Sequence, residues 1–167
     1  INIAKKYKVK IHHRNRELSS DKADKLKVIK ELAKLTEKKF LIDLDVTAPL
    51  RNKKDILGLY NMLKNNKEVV YGACKMESIN PYFNMVELKN NKKIGTVKKN
   101  SIIRSQDTPD VFLLNSIIGW RTDYLLKVKN LFSSKKNGLW IMEENKMFDI
   151  DTLTDYKIVK MLMRDYQ

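Results

Sequence analysis

The chain has one cysteine, Cys74, among 167 residues. No internal disulfide can form, so the fold must rest on its own core, and a reducing, cytoplasmic compartment is the expectation. Glycine (5) and proline (3) are scarce, which excludes collagen-like and linker-like chains. No apolar run approaches the roughly 20 residues that span a bilayer, so no membrane partner is expected. Residues 1–10 carry Lys5, Lys6, Lys8 and Lys10 with no long apolar stretch behind them, so no secretory leader is expected there. Arginine is scarce too: 28 of the 34 Lys and Arg residues are lysine.

What is present is globular. Hydrophobic residues make up 43% and charged residues 32%, and the length suits one domain with its own core. The net charge of +14 asks for an explanation. An anionic partner is one: nucleic acid, a membrane surface, a nucleotide or an acidic sugar. Lys- and Asn-rich coding from an AT-rich genome is the other. A nucleic-acid binder would show Arg with interleaved aromatics. The basic pairs Lys92-Lys93 and Lys98-Lys99 have none within them, which argues against nucleic acid.

No internal repeat appears, and periodicity predicts helices alternating with short apolar runs. A helix follows Ser19-Ser20-Asp21, with Ser20 or Asp21 as its cap and Ala23, Leu26, Ile29, Leu32 and Ala33 on one face. Residues 40–46 read as a strand and 55–64 as a helix facing inward through Ile56, Leu59, Tyr60 and Leu63. The run Val69 to Cys74 reads as a strand buried on both faces. Residues 77–110 change character, with a hairpin turning between Lys89 and Gly95. Two short strands, 111–114 and 117–120, are separated by Asn115-Ser116. A helix is expected over 121–130 and a strand over 138–142. The last helix starts near Thr152, with Asp155 at capping-box spacing and Tyr156, Val159, Leu162/Met163 and Tyr166 as its apolar face. The fold class expected is α/β, a mostly parallel Rossmann-like sheet with helices on both faces. Ligands of such sheets gather beyond the carboxyl ends of the strands.

Four constellations could carry chemistry. Asp149 and Asp151 lie at spacing two, which on an extended segment turns both carboxylates to one side. Hard divalent cations with oxygen ligands suit such a pair, while a helix N-terminus that favours negative charge is the plainer account. Residues Leu44-Asp45-Val46-Thr47-Ala48-Pro49-Leu50-Arg51 leave the first strand; they form either a simple turn or a pocket-lining loop. His12 and His13 are adjacent, so on a strand they face opposite ways and make poor metal co-ligands; Arg14 could meet phosphate. Arg104, Gln106 and Asn115 offer the planar groups that suit carboxylates and polyols. Cys74 lies in an apolar run and reads as a core residue.

The order of these blocks resembles the acylneuraminate cytidylyltransferases, which make CMP-activated nine-carbon acidic sugars. The family signature L-Q-P-T-S-P-L-R appears as residues 44–51. H-R-P-x-E-L-A-S-D appears as residues 13–21. R-x-Q-x-x-P…N-G-A-I-Y appears from Arg104 to Gly119, and D-I-D-T is intact as Asp149-Ile150-Asp151-Thr152. The resemblance implies a nucleotide-diphospho-sugar-transferase-like fold over 1–167 and a homodimer using a β-rich arm over 77–120. It implies magnesium on Asp149 and Asp151, which are also the catalytic pair. It places Arg14, Ser20, Thr47 and Ala48 by the nucleotide, and Arg104, Gln106 and Asn115 by the sugar. The substrates it implies are CTP and a sialic-, legionaminic- or pseudaminic-type acid.

The sequence departs from the family in two ways. The R-x-G-S-K-G loop that grips triphosphate is not found, so the domain is expected to be incomplete at its N-terminus, with one sheet edge open and activity in doubt. Asp45, Val46 and Ala48 replace the usual Gln, Pro and Ser, so Asp45 adds a charge that could join a metal cluster or select a different sugar. A non-catalytic sugar- or nucleotide-binding module of the same fold and a basic nucleic-acid-binding protein stand as alternatives.

Overall fold

The computed structural model describes residues 2–20, 22–89, 93–99 and 101–166. The helices are α1 (Asn2–Lys6), α2 (Lys25–Thr36), α3 (Lys53–Lys64), α4 (Thr122–Leu125) and α5 (Leu153–Leu162). The strands are β1 (Phe40–Leu44), β2 (Val69–Lys75), β3 (Val86–Lys89), β4 (Lys93–Thr96), β5 (Phe112–Arg121) and β6 (Asn137–Met142). Among the described residues no helix is long and apolar enough to cross a membrane.

The main sheet has the order β1-β5-β2-β6. β2 and β6 pair in parallel, and β5 runs antiparallel to both β1 and β2. Three strands therefore share one direction, as expected of an α/β sheet. The reversed β5 sits between two of them, so antiparallel pairings outnumber parallel ones, a direction that apolar runs do not encode. The two short runs around Asn115-Ser116 are one strand. Its register against β2 shifts between Tyr71↔Ile118 and Ala73↔Leu114, which leaves extra β5 residues bulged at the expected interruption.

Helices cover both faces. Alternate residues of β2 point to opposite sides, as a strand requires. Val69 and Tyr71 pack with Leu26, Ile29 and Ala33 of α2, with Trp120, and with Leu125 and Val128. Val70 and Cys74 pack with Leu59 and Leu63 of α3, Ile117 and Met142. The apolar run of β2 is thus buried on both sides.

Local chemistry sets the helix ends, with corrections. The cap of α2 is Asp24, whose carboxylate accepts the Leu26 N–H, rather than Ser20. Ser20 instead donates to the Glu17 carbonyl, and Asp21 lies outside the described residues. Only Thr122–Leu125 of the expected 121–130 helix is helical. Thr152 and Asp155 form the expected capping box on α5, but of its expected apolar face Val159 is buried while Tyr156 and Met163 are exposed. β3 and β4 pair as a separate antiparallel ribbon. The turn expected between them includes residues 90–92, which lie outside those described.

Candidate functional site

Because β1, β2 and β6 run the same way, their carboxyl ends open on one rim of the sheet. That rim receives residues 45–52 after β1, 76–84 after β2 and 143–152 after β6, while β5 enters from it. The expected functional segments therefore converge where an open α/β sheet collects ligands.

At the exit of β1 the sequence alternates acid and apolar residues, and both acids meet one cation. The Lys25 ammonium lies 3.1 Å from Asp43 and 2.7 Å from Asp45. Partial burial opposes the Lys25 charge, but its bonds to Asp45 and Asp43 outweigh that and raise its pKa above the ordinary value. Arg51 folds back to donate to the Asp45 carbonyl. Burial lowers the Arg51 pKa, against the opposing fields of Asp45, Asp149, Asp43 and Asp55. A cavity of about 360 Å³ beside this cluster is lined by Arg14, Ser20, Lys25, Asp43 and Asp45. Two of the expected nucleotide residues, Arg14 and Ser20, share it.

The other two, Thr47 and Ala48, lie on the turn. Ala48 is buried, at 1% exposure. The Thr47 carbonyl accepts the Ile150 N–H at 2.8 Å, which ties this turn to the acidic segment between its two aspartates. Asp149 is half-buried and Asp151 exposed. Their segment is not extended: the Asp151 N–H turns back to the Asp149 carbonyl at 3.2 Å and to the Asp155 carboxylate at 3.3 Å. The alternation argument for a shared direction therefore does not apply to it. Among the described residues no group of three or more His, Cys, Asp or Glu could hold a metal by itself. An oxygen-only pair suits magnesium, which takes one or two carboxylates and completes its shell with water and substrate phosphates.

A larger cavity, about 560 Å³, opens beyond β2. Gln106 lines it, with Lys75, Asn80, Phe83 and Asp110 among its walls. Lys75 bridges Glu77 and Asp110, and Asn80 donates to Thr108 and to the Pro109 carbonyl, fastening the two sides together. Arg104 is exposed and doubly bonded to Asp107 at 2.8 and 2.9 Å, so it is not among the cavity walls. Asn115 sits in the β5 bulge, two residues before the last β1–β5 pair, Leu44↔Ile117. It is 2% exposed, and its Nδ2 has no hydrogen-bond partner among the described residues. A buried amide donor without a partner costs about 1–3 kcal/mol unless something accepts from it.

Several residues here were not anticipated from sequence. Lys25 and Asp43 escaped because an ion pair across 18 residues leaves no local pattern. Asp55 and Lys146 escaped because charged residues in a helix start and in Glu-Glu-Asn-Lys read as solvated. They are 2% and 1% exposed, and they pair at 2.9 Å. His12 contacts Glu31 at 3.2 Å on the surface. Cys74 is fully buried in the core, and burial pushes its thiol up to about 11.

The chain is 33% identical over 159 residues to the post-translational flagellin modification protein B of Campylobacter coli, covering 91% of this chain and 67% of that protein. It is 35% identical over 169 residues to the CMP-N,N'-diacetyllegionaminic acid synthase of Campylobacter jejuni, covering 96% of this chain and 71% of that protein. The chain belongs to the acylneuraminate cytidylyltransferase family. No family model matches it. Two solved structures share the fold at 13% identity. A CMP:2-keto-3-deoxy-manno-octonic acid synthetase complexed with CTP matches with a TM-score of 0.68, covering 99% of this chain and 77% of that one. The 4-diphosphocytidyl-2C-methyl-D-erythritol synthase of Anaerococcus prevotii matches at 0.60, covering 98% and 74%. Where the family pattern carries Gln, this acylneuraminate cytidylyltransferase has Asp45, and its added charge is taken up by Lys25.

Proposed function

We propose that the chain activates a nine-carbon acidic sugar with CTP, giving the CMP-sugar and pyrophosphate. The single observation that carries the reading is the Ile150–Thr47 backbone bond, which sets the acidic pair against the turn of the nucleotide signature. In the reaction the sugar's anomeric oxygen bonds to the α-phosphorus of CTP. The bond from that phosphorus to the bridging oxygen breaks, and pyrophosphate leaves. The hydroxyl proton passes to a carboxylate of the acidic pair or to a water beside it. Asp149 and Asp151 would hold magnesium, which supplies charge neutralisation at the phosphates.

Arg14, Ser20 and the Thr47–Ala48 turn would serve the nucleotide. The cavity bearing Gln106, about 560 Å³, has a volume suited to a sugar of this size. Asn115 would donate to the sugar from its buried position. Arg104 would exchange Asp107 for the sugar carboxylate. The names of the Campylobacter relatives support a legionaminic-type acid as the first substrate to try.

The exposed apolar residues of the β3–β4 ribbon, Val86, Leu88 and Ile94, would meet a second copy in a homodimer. Light scattering of the chain, and of Leu88→Lys, checks this: a dimer that the substitution dissociates is expected.

Pyrophosphate release from CTP, magnesium and a nonulosonic acid tests the activity. Asp151→Asn should lower turnover at least a hundredfold with an unchanged circular dichroism spectrum. Unchanged turnover removes Asp151 from the chemistry. Calorimetric binding of CMP without turnover by the parent chain favours a binding module instead.

A further inference from the structure

Asp55 occupies the third position of α3, where an acid ordinarily faces water. Here it is 2% exposed, and three chain segments converge on its carboxylate. Oδ2 accepts the Asn52 N–H at 3.0 Å and the Lys146 ammonium at 2.9 Å. Oδ1 accepts the Trp140 indole N–H at 3.3 Å. Lys146 is 1% exposed and also lies 3.5 Å from Glu143. Taking two charges out of water is expensive, and apolar residues of similar volume would often serve stability as well. The pair therefore asks for a role that an apolar contact would not fill.

Position in the chain supplies that role. Asn52 follows Arg51 directly and ends the turn that begins at Thr47. Lys146 precedes Asp149 by three residues. One carboxylate thus grips the far end of both segments, and the Ile150–Thr47 bond joins their near ends. An ion pair with directed donors fixes distance and orientation, which apolar packing does only loosely.

We propose that Asp55 and Lys146 are positioning residues that set the acidic segment against the Thr47–Arg51 turn. Their effect on catalysis rests on the cytidylyltransferase reading; their effect on geometry does not. Removing the lysine leaves a buried acid without its charge partner and frees the 143–149 segment to move away from α3.

Amide hydrogen exchange on the ¹⁵N-labelled chain, read well below its melting temperature, tests this without substrate. Lys146→Met should lower the protection of the Ile150 amide at least tenfold relative to the β2 amides of Val70 and Ala73. The double variant Asp55→Asn/Lys146→Met buries no charge, so it decides the matter if the single variant does not fold; the same selective loss is expected. Ile150 protection that changes only in step with β2 overturns the proposal, because a purely structural pair would weaken all of these amides together. If Ile150 responds as expected while neither parent nor variants turn over CTP, the positioning stands and the cytidylyltransferase reading fails.

Discussion

Gly58 offers a test in which helix propensity and packing predict opposite signs. It lies inside α3, where Gly58→Ala alone would stabilise by about 1 kcal/mol. A Cβ at this position would stand 2.3, 2.4 and 2.5 Å from three ring carbons of Trp140. Carbon atoms rest at about 3.5–4.0 Å, so the indole would have to retreat by more than ~1 Å. It is held by the buried Asp55 carboxylate, to which Nε1 donates at 3.3 Å. Overpacking costs about 1–3 kcal/mol and a weakened bond to a buried charge about 1–2 more. After the helix gain the net is about 1–4 kcal/mol of destabilisation. For a chain of this length that lowers the melting temperature by roughly 2–16 °C. Thermal unfolding followed by far-ultraviolet circular dichroism reads it directly. In a Trp140→Leu background the obstacle is gone, and Gly58→Ala should become neutral or stabilising. A raised melting temperature in the parent, or the same shift in both backgrounds, would refute the packing argument.

Thr152→Ala removes the hydroxyl that accepts the Asp155 N–H at 3.2 Å and should cost about 1 kcal/mol, seen as a fall of roughly 2–4 °C in melting temperature; no shift would mean that α5 does not need its cap. Cys74 predicts an alkaline weakness. Its thiol ionises near 11 when folded against 9.0 when exposed, so the folded chain keeps a proton that the unfolded chain releases between those values. Stability from this group is whole below pH 9 and falls by about 2–3 kcal/mol as pH rises to 11. Urea unfolding at pH 8.5 and 11 should show that extra loss in the parent but not in Cys74→Ala, and parallel losses would contradict it. Asp155 has its pKa lowered by hydrogen bonds from the Thr152 hydroxyl and backbone, so its contribution is whole above ordinary carboxylate values and disappears as pH falls through the lowered one. Asp155→Asn should therefore flatten the acid limb of the stability profile, and an unchanged limb would count against that capping bond.

How much could be read from sequence depended on how local the determining physics is. The Val69–Cys74 run and the Thr152–Asp155 box were legible because burial on both faces and helix capping are each written within a few residues. The rim that carries Thr47 and Asp149 was legible through strand ends, while Gln106 was singled out through the family pattern. The direction of β5 was not legible, because its runs Phe112–Leu114 and Ile117–Trp120 are apolar whichever neighbour they meet. Asp24 displaced Ser20 as the α2 cap because both are good caps and only the path of the chain chooses between them. Lys146 was hidden most deeply. Its partner Asp55 lies 91 residues away, and nothing in Glu-Glu-Asn-Lys marks a lysine that will be removed from water.

The acidic pair and the Thr47 turn are held to form one site for a metal-bound cytidine phosphate, and manganese relaxation tests that claim most directly. The ¹⁵N-labelled chain, titrated with CTP and a trace of Mn²⁺, should lose the amide signals of Thr47, Ile150 and Asp151 first, because the paramagnetic ion lies against them. Those three signals staying sharp while others broaden would contradict the account.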